Sequence, residues 1–153
     1  MIGALTPRRW ATIRAMLDLL TVTDAPVTLN DLAATCPPRL EYLPCHGHHE
    51  PGRGMIALDC DGETHRVVRD SDTITIQPEV DLFRELGWVE LLPRATVTRS
   101  GGRASLYAYT GPTETVADLM GATFRWQPPR RPKGCPDGDD TYLDFHPDPA
   151  QEA

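Results

Sequence analysis

Two alternating stretches, residues 95–99 and 103–109, flank Ser100-Gly101-Gly102. Period-two alternation around a glycine turn predicts a β-hairpin with an open tip. Leu86-Gly87 stands before it as a helix stop, followed by Trp88, Val89, Leu91 and Leu92 as a strand entering the core. Whatever this chain folds into must hold that hairpin against helices, so the expected class is α+β. Its 153 residues leave room for one domain with an appendage. At 40 % apolar and 24 % charged residues it has enough for a core, which argues against a fibre, a coiled coil or a wholly disordered chain.

The helices are signalled by their ends. Thr6 and Pro7 open the first, whose face is Trp10, Ile13, Met16, Leu17 and Leu20, with an end near Thr21 before Asp24-Ala25-Pro26. Thr28 and Asp31 have capping-box spacing at the start of the second, which stops before Pro37-Pro38. A third is expected from Pro78 to Gly87 with Val80, Phe83 and Leu86 inside. A fourth is capped by Thr113, buries Val116, Leu119 and Met120, and ends at Gly121.

With Leu86-Gly87-Trp88-Val89-Glu90, then Gly101-Gly102-Arg103, then Leu106-Tyr107-Ala108-Tyr109-Thr110 in that order, the chain resembles the winged helix-turn-helix superfamily, in particular regulators of the multiple-antibiotic-resistance and PadR types. The resemblance covers residues 5–35 and 78–121. It implies a winged-helix domain over 1–126, double-stranded DNA as partner, a role in transcription regulation or in phage or plasmid DNA transactions, and a homodimer as the usual assembly. The departure is a 42-residue insertion, Cys36 to Gln77, between the second and third helices. Asp61-Gly62 between Met55–Cys60 and Thr64–Arg69, with a turn at Asp70-Ser71 before Thr73–Ile76, predicts a small inserted β-meander.

The formal charge of −7 argues against a nucleic-acid partner, but its distribution matters more than its sum. After Lys133 the chain carries Asp137, Asp139, Asp140, Asp144, Asp148 and Glu152 and no cation, so residues 1–133 balance at −1. Rich in Pro and Gly, residues 127–153 read as an acidic tail, extended or disordered. Between Glu90 and Glu114 no acid occurs, while Arg94, Arg99 and Arg103 do. With Arg8, Arg9 and Arg14 on the first helix they are candidate phosphate ligands; three arginines on a hairpin also suit an ordinary solvated face. The third helix argues the other way. Glu79, Asp81, Arg84 and Glu85 are expected on its exposed side, a balance of −2 that leaves Arg84 as its one candidate contact. The alternative is a winged-helix module for a protein partner, with the acidic tail as interaction segment or as a screen over the basic hairpin.

The insertion also gathers Cys36, Cys45, His46, His48, His49, Cys60 and His65. Thiolates and imidazoles are zinc ligands, and a structural zinc held among Cys36, Cys45, His46, His48, His49 and Cys60 would steady a small module. No C-x-x-C knuckle is present, and the competing reading is a His-rich surface loop with Cys36 and Cys60 as small apolar groups. The chain shows no phosphate loop, G-x-S-x-G elbow, H-E-x-x-H or dinucleotide fingerprint, so no enzyme is expected. Without a long apolar run or a signal-like start, the expected location is cytoplasmic, with no membrane partner.

Overall fold

The structure is a computed structural model, and it describes residues 3–47, 52–97 and 101–145. The fold is α+β. Its elements run β1 Gly3–Leu5, α1 Pro7–Val22, α2 Leu29–Thr35, β2 Arg39–Pro44, β3 Met55–Cys60, β4 Thr64–Arg69, α3 Thr73–Glu85, β5 Val89–Val97, β6 Arg103–Tyr109, α4 Val116–Thr123, β7 Phe124–Trp126 and the short 3-10 turn Thr141–Phe145. Strands β1 and β7 pair as a two-stranded sheet. No described helix is long and apolar enough to cross a membrane.

The chain divides into two compact units. The helical unit comprises Met1–Gly3, Thr12–Cys36 and Ser71–Arg125; the sheet unit comprises Ala4–Ala11, Pro37–Asp70 and Trp126–Ala153. The insertion and the segment after α4 therefore form one body, whereas the sequence suggests a module within the winged-helix domain and a separate tail.

The helices are built as their local signals dictate. Thr6 caps α1, accepting from the Arg9 N–H at 3.5 Å. Around α2 the capping box is complete, with Asp31 N–H on Thr28 Oγ1 at 3.1 Å and Thr28 N–H on Asp31 Oδ2 at 3.0 Å. The buried faces are Ile13, Met16, Leu17 and Leu20 of α1, Leu32 of α2, Ile76, Val80 and Phe83 of α3, and Leu119 and Met120 of α4. Trp88 closes the base of the hairpin. Its ring stacks tilted on Phe83 at 6.0 Å and edge-on to Phe124 at 6.1 Å, and its carbonyl accepts from Thr110 N–H at 2.7 Å. Gly87, at φ +75°, ends α3 in a Schellman motif: Gly87 N–H bonds to Arg84 O at 3.1 Å and Trp88 N–H to Phe83 O at 2.8 Å.

Three expectations for this unit are corrected. Helix α3 starts at Thr73, not Pro78, so Thr73–Ile76 is its first turn and not a strand. Asp72 and Thr75 form a reciprocal capping box, and Ile76 is 1 % exposed. Those gains carry the helix through Pro78, whose ring nitrogen cannot bond to Ile74 O. Glu79 is buried at 5 % exposure, not solvated. Helix α4 is capped by Thr115, not Thr113, and continues past Gly121 to Thr123.

The sheet unit has a three-stranded antiparallel sheet in the order β2-β4-β3. It differs from the expected meander in one strand: Thr64–Arg69 is central in both, but its second partner is Arg39–Pro44 and not Thr73–Ile76. The β3–β4 turn forms as Asp61-Gly62 requires. Asp61 Oδ1 accepts from Glu63 and Thr64 N–H at 2.8 and 2.7 Å, and Gly62 takes φ +95°. The described part of the expected tail, up to residue 145, is not loose. Gly134 lies so close to β2 that a Cβ there would sit 2.8 Å from Tyr42 O. Thr141 receives hydrogen bonds from Arg66 and from Tyr42 (O···O 3.4 Å), because its single hydroxyl proton is donated to Asp139.

Candidate functional site

Three groupings are candidates for function, one in the helical unit and two in the sheet unit. In the helical unit the β5–β6 hairpin pairs Val89 with Tyr109 and Val97 with Arg103, and Ala104, Ser105 and Leu106 complete the returning strand. Between Leu91 and Ala95 the register shifts, so Leu92, Pro93 and Arg94 face Leu106 alone. A bulge is where a strand tolerates Pro93, which has no N–H for the ladder. Arg94 and Arg103 are exposed; Arg99 and Ser100 lie outside the described residues. Val27 extends the pairing: its N–H bonds to Tyr107 O at 2.9 Å, and Tyr107 N–H returns to Val27 O at 2.8 Å. The segment between α1 and α2 thus adds an edge to the hairpin.

Helix α3 presents a different surface from the one its sequence suggests. With Glu79 buried, its exposed charges are Asp81, Arg84 and Glu85, a balance of −1. They sit in its C-terminal half. The N-terminal half, Thr73 to Gln77, carries no charge; Ile74 is 81 % exposed, and the Gln77 amide donates to Asp81 Oδ1 at 3.0 Å.

The candidate phosphate ligands are split between the units. Arg14, Arg84, Arg94 and Arg103 belong to the helical unit, Arg8 and Arg9 to the sheet unit. Arg8 and Arg9 line a cleft of about 740 Å³ within the sheet unit, together with Arg39, Arg130, Arg131 and Lys133. Its one acid is Glu41, which Arg39 and Arg69 grip at 2.9 and 3.0 Å. Arg39, Arg130, Arg131 and Lys133 were not legible as a group, because residues 39 and 130–133 come together only when the segment after α4 packs beside β2.

The Cys/His residues sort in the same way. Cys36 is buried in the helical unit, where its thiol hydrogen-bonds to Leu32 O at 3.2 Å and approaches Thr12 O at 3.9 Å. It is the small apolar-site cysteine of the competing reading and does not join the others. His46 is exposed and outside the cluster, and His48 and His49 lie outside the described residues. Cys45 and Cys60 do meet, and the third member is His65, which the ligand set read from the sequence leaves out. Their ligand atoms all lie within 4.8 Å of one another. The cause is a bulge between Ala57 and Asp59, which slips β3 by one residue so that Cys60 pairs with His65 and Asp59 with Arg66. Arg66 then holds Asp59 side-on, Nε to Oδ1 and Nη2 to Oδ2, both at 2.9 Å.

Acidity follows the local bonds. The Gly62 N–H, 3.3 Å from Cys60 Sγ, draws the thiol pKa down, but burial and the neighbouring Cys45 thiol outweigh it and the net shift is upward. Asp61 is held below its ordinary value by the N–H groups of Thr64 and Glu63, and Asp139 by the hydroxyl and then the N–H of Thr141.

No protein-family model, curated protein or solved structure matches the chain.

Proposed function

We propose that the helical unit is a winged helix that binds double-stranded DNA, in transcription regulation or in phage or plasmid DNA transactions. The observation that carries this reading is the Val27–Tyr107 bridge. Within the helical unit it gives the order helix, bridge, helix, helix, strand, strand, with Val27 paired as a third edge to the hairpin, and this order supports the winged-helix reading. On the described wing, Arg94 and Arg103 are exposed and no acid accompanies them after Glu90.

Burial of Glu79 removes part of the objection raised by the third helix. In helix-turn-helix docking the N-terminal residues of the recognition helix reach the base edges. Here Thr73–Gln77 are uncharged behind the N-cap carboxylate of Asp72, and Ile74 and Gln77 offer an apolar contact for a thymine methyl group and an amide for adenine. Asp81 and Glu85 stand one and two turns further along, where they repel backbone phosphates less.

The test is the salt dependence of affinity for a duplex selected from a random library. The double variant Arg94→Ala/Arg103→Ala is expected to flatten the slope of log K against log salt by about 2 while leaving base preference intact. Gln77→Ala is expected to relax the preference at one position, by about 1–3 kcal/mol of discrimination, with the slope unchanged. Absence of duplex binding at low salt, or an unaltered slope in the double variant, contradicts the reading.

A further inference from the structure

Three strand ends converge at one end of the β2-β4-β3 sheet. Cys45 follows β2 directly, Cys60 closes β3, and His65 is the second residue of β4. Each is fixed by the backbone. Cys45 N–H bonds to Glu63 O at 2.8 Å, and Cys60 is paired across the ladder with His65. All three residues are half-buried, and their two sulfurs and one imidazole nitrogen fall within 4.8 Å of each other. In a tetrahedral zinc site with Zn–S about 2.3 Å and Zn–N about 2.0–2.1 Å, ligand atoms stand roughly 3.5–3.8 Å apart. The cluster reaches that spacing by a contraction of about 1 Å, within the range of side-chain rotation.

We propose that Cys45, Cys60 and His65 form a structural zinc site that clamps the ends of the three strands. Thiolate and imidazole donors select zinc over the hard divalent cations. The two thiols lose their protons to solvent as the metal binds, His65 binds as neutral imidazole, and the fourth position falls to solvent or a flanking side chain. The Gly62 N–H on Cys60 Sγ at 3.3 Å is the kind of outer bond that steadies a metal-bound thiolate. A physical need is also present. The sheet unit buries Leu5, Leu40, Tyr42 and Val67, a small apolar core among its described residues, and small bodies of that kind gain their stability from staples.

The test uses the full chain, expressed without a histidine tag and purified under reducing conditions. Metal analysis is expected to give close to one zinc per chain. Exchange for Co2+ is expected to give intense visible bands of a tetrahedral site with thiolate-to-cobalt charge transfer. Cys45→Ser and Cys60→Ser each remove part of that charge transfer, and His65→Ala weakens Co2+ binding at least tenfold. Cys135→Ser, a cysteine of the same unit outside the cluster, leaves the spectrum unchanged. Should a variant fail to fold, the unsubstituted protein decides by itself: chelation exposes two additional thiols to a thiol reagent, and zinc protects them again. Zinc content near zero with no cobalt bands, a metal-free chain joined by a Cys45–Cys60 disulfide, or loss of the bands in Cys135→Ser overturns the proposal.

Discussion

The two units reach a defined structure by opposite means. The helical unit buries Phe83, Ile13, Met16, Leu17, Leu32, Ile76, Met120 and Val80 almost completely, and its caps and its Schellman turn fix where each helix begins and ends. The sheet unit has few such residues. It holds its strands through Arg66 on Asp59, through Arg39 and Arg69 on Glu41, and through Thr141 receiving Tyr42 and Arg66. Those ion pairs are partly solvated and each is worth roughly 0–1 kcal/mol, whereas one large buried side chain contributes several. A unit held by burial is cooperative. A unit held by solvated polar contacts would gain from a staple such as the proposed metal clamp.

The largest expected effect falls on the helical core. Phe83→Ala removes the ring that Trp88 stacks on and is expected to cost about 3–5 kcal/mol in urea unfolding. A cost below about 1 kcal/mol would mean that this unit is no better packed than the other. Next comes Gly134→Ala in the sheet unit. The position has φ +83° and a Cβ there meets Tyr42 O at 2.8 Å, so both backbone and contact are strained. A loss of about 1–3 kcal/mol is expected, with faster limited proteolysis after residue 126. Asp72→Ala, which removes the α3 cap, is expected to cost about 1 kcal/mol.

The smallest effect concerns pH. Asp61 and Asp139 have folded-state pKa values below 3.8, so their contribution is fully present above that value in the unfolded chain. It is lost as pH falls through the lower folded values. Acid titration followed by amide exchange should therefore loosen the Asp61–Thr64 turn and the Thr141 segment only below the ordinary carboxylate range. Asn at both positions is expected to blunt that acid step.

Legibility in the sequence divides along the same line. Caps, glycine stops and apolar periodicity are local, so α1, α2 and the β5–β6 hairpin stand close to where Thr6, Thr28, Gly87 and the Ser100-Gly101-Gly102 turn predict. Pro78 misled because a helix-start signal was outweighed by the Asp72–Thr75 box and the burial of Ile76. Glu79 misled because the helix begins five residues earlier, at Thr73, and sets it on the buried face with Ile76 and Phe83. The sheet unit was least legible, since its partners are far apart in sequence. Neither Gly134 beside Tyr42 nor the β3 bulge that sets Cys60 opposite His65 has a local signature. A one-residue slip decides which side chains share a face, so the ligand set read from the sequence holds Cys45 and Cys60 beside the remote Cys36 and leaves out His65, which the structure sets next to them.

Native-state amide hydrogen exchange tests most directly the claim that one unit is held by burial and the other by staples. Amides of Ile13, Leu17, Val80 and Phe83 are expected to exchange together, only through global unfolding. Those of Tyr42, Val67 and Val68 are expected to exchange through a separate opening at lower free energy, which metal chelation lowers further. One shared opening free energy for both sets, unmoved by chelation, would contradict the account.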